Sequence, residues 1–339
     1  MIQETFKQYK GQDPFTEIYG QEEAKQQILS ALIMNRHIIL VGPPGIGKTT
    51  LAKNIAKLLS PLTLNDCSFH CDPKTPFCPE CKTKTQKTKT LKGEERFVRI
   101  QGSPDLTVED LLGDIDPLKA LKYGPLALES FTPGKIFKAN QGVLFFDEIN
   151  RCPEKLQNAL LQVLEEGKAT IGSYDLDLEA NFITLCTMNP EDFSGTERLS
   201  EVLLDRFDLV FIGYPETVEI EKNILKAKGE TLKEIEFPEK LLEGTVAFIH
   251  TLRKNENLER VPSVRASLGL YERAQSNALL RGTKTVDIQD VIQAFSSVIA
   301  HRIRLKPSVR YLMDTKTFIK KEFKKFQEDS TKQNEGELP

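Results

Sequence analysis

The stretch His37-Ile38-Ile39-Leu40-Val41-Gly42-Pro43-Pro44-Gly45-Ile46-Gly47-Lys48-Thr49-Thr50 passes from an apolar β-type run into a glycine loop and then into a helical pattern. Gly42, Gly45 and Gly47 allow backbone torsions closed to residues that carry a Cβ. Successive N–H groups can therefore turn onto an anion at the N-terminus of the following helix. Lys48 adds a flexible ammonium for the β- and γ-phosphates, and the Thr49 hydroxyl is placed to ligate the accompanying magnesium ion. The spacing G-x-x-x-x-G-K-[ST] is met in full, and Thr50 closes the set of nucleotide-binding residues. ATP with Mg2+ is the expected cofactor pair.

A second apolar run, Gly142-Val143-Leu144-Phe145-Phe146, ends in two adjacent carboxylates, Asp147 and Glu148. Beside a phosphate loop, the first acid orients magnesium through its water shell, and the second points to the γ-phosphate side, where it can polarise an attacking water. A third run, Phe182 to Thr187, delivers Asn189 to the C-terminal edge of a parallel sheet, which is where such sheets bind ligands.

Between the phosphate loop and the acids lies a segment with little apolar periodicity, containing Cys67, Cys71, Cys78 and Cys81 in the spacing C-x3-C-x6-C-x2-C. Four soft thiolates from so short a segment can converge tetrahedrally on zinc, and a loop with almost no core of its own gains folding energy from such a metal. A [4Fe–4S] cluster accepts four thiolates as well, and His70 can substitute for one cysteine. The run Lys82 to Thr90 alternates lysine and threonine without an aromatic residue to stack on a base, so a solvated loop is expected. Cys152 and Cys186 fall in regular structure and read as small apolar residues.

These groups need a scaffold, and the apolar runs supply one. Strands are expected over His37 to Val41, Phe97 to Ile100, Gly142 to Phe146, Phe182 to Thr187 and Leu209 to Ile212, with helices over Gln21 to Asn35, Thr50 to Leu59 and onward from Pro153. Strand, loop, helix is the phosphate-binding unit of an α/β fold, so the fold class is a P-loop NTPase with a parallel five-stranded sheet. Residues 106–135 read as short elements joined by turns, and 169–178 as a hairpin turning near Gly172-Ser173. From Pro215 β-type runs vanish and amphipathic helices follow over Glu216 to Ala227, Pro238 to Leu252, Ser263 to Leu280 and Val286 to Ile303. The expected organisation is an α/β core over 1–214 with a Cys-rich insert at 61–93, an all-helical domain over 215–305, a helical extension over 306–326 and a polar, disordered tail over 327–339.

A chain of 339 residues favours two domains over one, and its net charge of −3 is too small to imply a polyanion partner by itself. No apolar run approaches the roughly 20 residues that span a bilayer. Met1-Ile2-Gln3-Glu4-Thr5 lacks the layout of a signal peptide, so a cytoplasmic protein without membrane insertion is expected. In that compartment the six cysteines are not expected to form lasting disulfides.

With these residues in place the chain resembles the AAA+ ATPases, and within them the clade of MoxR proteins and the magnesium-chelatase ATPase subunit, over residues 12–305. Gly42 to Thr49 matches the Walker A motif and Leu144 to Arg151 the Walker B motif in this clade's form. The resemblance implies that Asn189 is sensor 1, Arg206 the arginine finger, Arg265 sensor 2 at the opening of a lid helix, and Ile18-Tyr19-Gly20 the adenine site. It places the clade's helix-2 insert at Leu106 to Lys135 and its pre-sensor 1 hairpin at Thr170 to Leu178. It implies a ring homo-oligomer, hexameric, that hydrolyses ATP between subunits to remodel a protein client, including a partner with a von Willebrand A domain or a metal chelatase. The rival is a DNA- or RNA-dependent motor that uses the hairpin and the Cys-rich insert.

Overall fold

The computed structural model describes residues 2–83, 87–125, 127–171, 174–189 and 199–336. It divides into two compact units, Met1–Pro43 with Gly47–Ile212, and Gly213–Pro339 with the loop tip Pro44–Ile46.

The first unit opens with α1 (Ile2–Lys7) and α2 (Glu22–Ile33), the latter burying Ala24, Ile28, Ala31 and Leu32 at helical spacing. Then come β1 (His37–Val41), the glycine loop and α3 (Lys48–Lys57). That helix starts two residues before the expected Thr50 because Gly47, left-handed at φ 98°, is itself the N-cap. The Cys-rich insert contains β2 (Leu62–Asn65), α4 (Pro79–Thr83) and β3 (Thr88–Leu91). β2 and β3 pair antiparallel, so the end of the Lys/Thr run is a strand rather than the expected loop. β-branched threonines at alternate positions explain it, with Thr63 and Thr90 hydroxyls 2.9 Å apart across the pair.

β4 (Phe97–Gln101) is followed by α5 (Val108–Leu112), β5 (Gly113–Ile115), α6 (Pro117–Tyr123), β6 (Phe131–Pro133) and α7 (Lys135–Lys138). The rest of the unit is β7 (Val143–Asp147), α8 (Glu154–Glu166), β8 (Lys168–Ile171), β9 (Tyr174–Glu179), β10 (Ile183–Met188), α9 (Glu201–Leu204) and β11 (Phe207–Phe211). β8 and β9 form the expected hairpin, whose turn residues Gly172 and Ser173 lie outside the described residues. The five-stranded sheet runs β11-β1-β10-β7-β4 and every pairing in it is parallel. β10 is buried at every position and β7 at all but the last, as continuous apolar strands covered on both faces must be.

The second unit is helical, with α10 (Val218–Lys228), α11 (Glu239–Arg253), α12 (Val264–Leu280), α13 (Ile288–Val298), α14 (Pro307–Arg310) and α15 (Thr315–Gly336). The structure adds a short antiparallel pair, β12 (Leu258–Arg260) with β13 (Arg304–Leu305), where no strand was expected. The last expected helix stops at Val298, and Ile303 and Leu305 are buried in the core of this unit. α15 continues to Gly336 although its end was expected to be disordered from 327, because lysine, glutamate and glutamine are good helix formers even without an apolar face.

One buried ion network ties this unit together. The Glu221 side chain on α10 is fully buried and accepts hydrogen bonds from Arg253 Nη1 and Nη2, at 2.5 and 2.8 Å, with His250 Nε2 at 2.8 Å and the Ser267 hydroxyl of α12 as further partners. Burial alone would push this carboxyl up; the bonds from Arg253, His250 and Ser267 outweigh it and hold the pKa at about 2. Glu221→Gln leaves Arg253 without its counter-charge and is expected to lower stability by about 3 kcal/mol in urea unfolding at pH 7. Because the folded value lies below the ordinary 4.5, the contribution is complete above pH 4.5 and is lost as pH falls toward 2. A wild-type-minus-variant difference that did not shrink over that window would contradict the assignment.

Candidate active site

Parallel register brings the functional side chains to one edge. Val41 lies opposite both Met188 of β10 and Phe211 of β11, and Gly42 N–H donates to Met188 O at 3.1 Å. The glycine loop and Asn189 therefore leave their strands side by side. The Lys48 ammonium, almost buried, donates to the carbonyls of Gly42 and Pro43 and to Asn189 Oδ1 at 2.8 Å. Gly45 and Gly47 take left-handed φ of 78° and 98°, which turns the loop back into α3. The Thr49 hydroxyl lies 3.4 Å from Asp147 Oδ2, while exposed Thr50 lends its carbonyl to Asn54.

The acidic side holds residues that sequence reasoning missed. Thr187 on β10 donates its hydroxyl to Asp147 Oδ1 at 2.7 Å and accepts Glu148 N–H at 2.8 Å, so one buried threonine aims both acids. Arg99 of β4 pairs with Asp147 Oδ2. Gln101 Nε2 and Arg151 Nε sit 3.3 and 3.2 Å from Glu148 Oε2. Glu148 itself has a left-handed backbone, φ 60° and ψ 55°, a conformation that costs a residue with a Cβ about 1 kcal/mol or more and recurs at functional sites. Gly102 makes that bend possible: a Cβ there would stand 2.0 Å from the Glu148 carbonyl oxygen. The register Gln101 opposite Asp147 is what places β4 residues here, and strand order is not written in a local pattern.

A hydroxyl and a carboxylate converging where a helix N-terminus and a lysine meet is a hard-oxygen set that fits Mg2+ carried with a nucleotide triphosphate. Comparison with known proteins agrees. Family models match for the ATPase family associated with various cellular activities (AAA) over residues 78–209, magnesium chelatase subunit ChlI over 14–71 and the AAA lid domain over 257–319. The magnesium-chelatase subunit ChlI homolog of Methanocaldococcus jannaschii is 30% identical, with 87% of this chain and 86% of that protein covered. The chain belongs to the MoxR and magnesium-chelatase ChlI family of AAA+ ATPases. Chaperone MoxR1 of Mycobacterium tuberculosis is 27% identical over 85% of this chain and 73% of its own length. A chain from the complex between subunits BchI and BchD of magnesium chelatase, based on a cryo-EM reconstruction, shares the fold with a TM-score of 0.50 at 20% identity, covering 88% of this chain and 98% of that one.

As a member of this family the protein is an ATPase, using ATP and Mg2+. Its other candidate residues do not all lie at the phosphate loop. Ile18, Tyr19 and Gly20 form a half-buried turn before α2, with Gly20 at φ 67°. Arg265, the second residue of α12, is exposed, but its stem does reach the phosphate loop: a Cβ on Gly45 at the loop tip, which groups with the second unit, would stand 3.1 Å from Arg265 Cδ. Arg206 follows α9 and forms an ion pair with Glu165 of α8, not with its neighbours Asp205 or Asp208. Among the described residues no helix is long and apolar enough to cross a membrane.

This AAA+ chain carries a second candidate site. The Sγ atoms of Cys67, Cys71, Cys78 and Cys81 all lie within 4.8 Å of one another, and the six cysteines are free thiols. Cys71 N–H points at Cys67 Sγ at 3.4 Å and the Asn65 amide at Cys81 Sγ at 3.3 Å, the kind of outer donor that steadies a thiolate ligand. The Cys71 side chain bonded to Cys67 pulls that thiol down to about 5 and is itself held above the ordinary range, while burial first and then its sulfur neighbours push Cys81 up to about 12. Four sulfurs this close cannot all ionise without a cation among them, so the group can hold a metal. His70 is not one of the four; its left-handed backbone, φ 47°, bends the chain between Cys67 and Cys71. The cluster is not a loop without a core: Cys67, Cys71 and Cys78 belong to the hydrophobic core of the nucleotide-binding unit. Cys152 and Cys186 are buried in that core too.

Proposed function

We propose that the protein is the motor subunit of a homo-oligomeric ring, a hexamer, in which ATP bound by one subunit is hydrolysed with help from Arg206 of the next, and that the cycle remodels a protein partner. The observation that carries this is register. His37 pairs with Phe207 and Val41 with Phe211, so Arg206 precedes the start of β11 while the phosphate loop follows the end of β1. From the level of Arg206 to that of Ile212 the strand rises about 20 Å, beyond the reach of an arginine side chain. Arg206 is thus suited to a neighbour's γ-phosphate, where it would stabilise the charge that develops in phosphoryl transfer.

In this reading Lys48 and the loop N–H groups bind the phosphates, Thr49 and Asp147 hold the magnesium ion, whose charge offsets that of the phosphates, and Glu148 takes the proton of the attacking water. Asn189, 2.8 Å from the Lys48 ammonium, fixes that ammonium and senses the γ-phosphate. Ile18, Tyr19 and Gly20 hold the adenine and Arg265 reports on the nucleotide from the lid. BchI forms a complex with BchD, which supports a partner subunit here. We propose further that this partner is of the von Willebrand A type. The four thiolates hold zinc rather than an iron–sulfur cluster: sulfurs within 4.8 Å of one another suit a single ion, whose tetrahedron has edges of about 3.8 Å, better than the corners of a cubane. We place the protein in the cytoplasm, where such thiols stay reduced.

Arg206→Ala is expected to bind ATP and hydrolyse it about a hundredfold or more slowly. Mixed with Glu148→Gln protein, it should regain activity at sites built from one intact half of each. No recovery at any ratio, in rings shown by tag co-purification to contain both variants, would refute action between subunits. ATPase assays with and without DNA, alongside identification of co-purifying proteins, separate a protein client from a nucleic-acid one.

A further inference from the structure

We propose that zinc held by Cys67, Cys71, Cys78 and Cys81 is the keystone of the β5–β6 hairpin, fixing the phenylalanine cluster on which that hairpin is seated while leaving the phosphate site independent. The inference rests on the zinc reading above. Aromatic residues are threaded between the ligands: Phe69 lies between Cys67 and Cys71, and Phe77 directly precedes Cys78. Phe69 meets Phe77 edge-on at 5.8 Å between centroids, and meets Phe137 of α7 at 5.4 Å and Phe131 of β6 at 6.4 Å. Phe131 and Phe137 close the set edge-on at 6.0 Å. Such contacts contribute about 1 kcal/mol each beyond burial, provided the rings are held in place.

Residues 66–78 contain no helix or strand, so the convergence of the four sulfurs is what brings Phe69 and Phe77 together. The loop is anchored on its other side by Asn140, whose amide donates to Phe69 O at 3.1 Å while its Oδ1 accepts Asn181 N–H at 3.0 Å, just before β7 and β10 begin and at the opposite end of β7 from Asp147. What hangs from the cluster is the hairpin. Phe131 pairs with Ile115 of β5, and its ring lies so close to Gly113 that a Cβ there would stand 2.5 Å from Cζ. Between the two strands is α6, which buries none of its residues and leaves Leu118 and Leu121 79% and 86% exposed. With none of its residues buried, α6 is placed by the base of the hairpin, and that base rests on the metal loop through Phe131 as well as on the buried Leu111 and Ile136 of its flanking helices.

Hydrogen exchange on the full-length chain tests this, with zinc content measured on protein purified under reducing conditions without chelator. We expect one zinc per chain. Stripping it, or making Cys78→Ser with Cys81→Ser, should speed exchange of amides 113–133 about tenfold or more, with β1 and α3 unchanged and ATP still bound. Returning zinc should restore protection in the stripped wild type and not in the serine variant. Phe69→Ala, which keeps all four thiolates, should retain zinc yet show the same faster exchange, and it serves as the second variant if the serine protein fails to fold. Zinc present but amides 113–133 indifferent to its removal would overturn the keystone role and leave the zinc reading standing. Parallel loss of ATP binding would overturn the claimed independence of the phosphate site. Absence of zinc, or iron with equivalent sulfide, would overturn the zinc reading and the inference with it.

Discussion

Glu148→Gln is expected to bind ATP as the wild type does and to hydrolyse it 10²- to 10⁴-fold more slowly, the span that a positioned general base contributes. The amide keeps the shape and still offers Oε1 to Gln101 and Arg151, so in the proposed role the loss is confined to the oxygen that would take the proton of water. The variant should fold normally, because the ion pair it breaks is half exposed on the arginine side and such pairs contribute little. Its backbone stays in place too: the left-handed bend is fixed by Thr187 and by the absence of a Cβ at Gly102, not by the carboxylate. Fluorescent-nucleotide titration beside a phosphate-release assay decides the matter. Equal loss of binding and turnover would assign Glu148 a structural role.

The contrast between the two sites shows what a sequence discloses about such a chain. Glycines with a following lysine, and acids after a fully apolar strand, are local statements whose chemistry depends on spacing, so the five parallel strands and the phosphate loop were legible before any coordinates. Four cysteines within fifteen positions were legible for the same reason. What stayed hidden depends on pairing across distance. Arg99 and Gln101 reach the acids only because β4 lies beside β7 in register, and Thr187 only because β10 lies on the other side of β7. Arg206 offered two acidic neighbours in sequence, yet its partner is Glu165, forty-one residues earlier, brought there by the packing of α8. The Cys-rich insert read as a loop in need of a metal, but its phenylalanines pack into the main core, a placement that apolar periodicity could not announce in a segment with no regular structure. Lysines at alternate positions likewise masked β3.

Lys48→Ala should fail before chemistry, at nucleotide binding itself. The ammonium is held by the Gly42 and Pro43 carbonyls and by Asn189 Oδ1, so it is almost fully desolvated and aimed before any phosphate arrives. A charge-assisted contact of this kind is worth about 1.5–3 kcal/mol, and losing it should weaken ATP binding by about a hundredfold at constant salt. The substitution also leaves three acceptors without their shared donor, so the loop should loosen, and the loss should reach ADP as well through its β-phosphate. Lys48→Arg separates charge from shape: a planar fork cannot satisfy the two loop carbonyls and Asn189 as a compact ammonium does, so binding should return only in part. Isothermal titration with ATP and ADP reads both effects, and the unfolding midpoint without nucleotide controls for folding. An alanine variant that bound and hydrolysed ATP normally would remove the central assignment, because no other lysine lies in the segment from Val41 to Leu51 to take over.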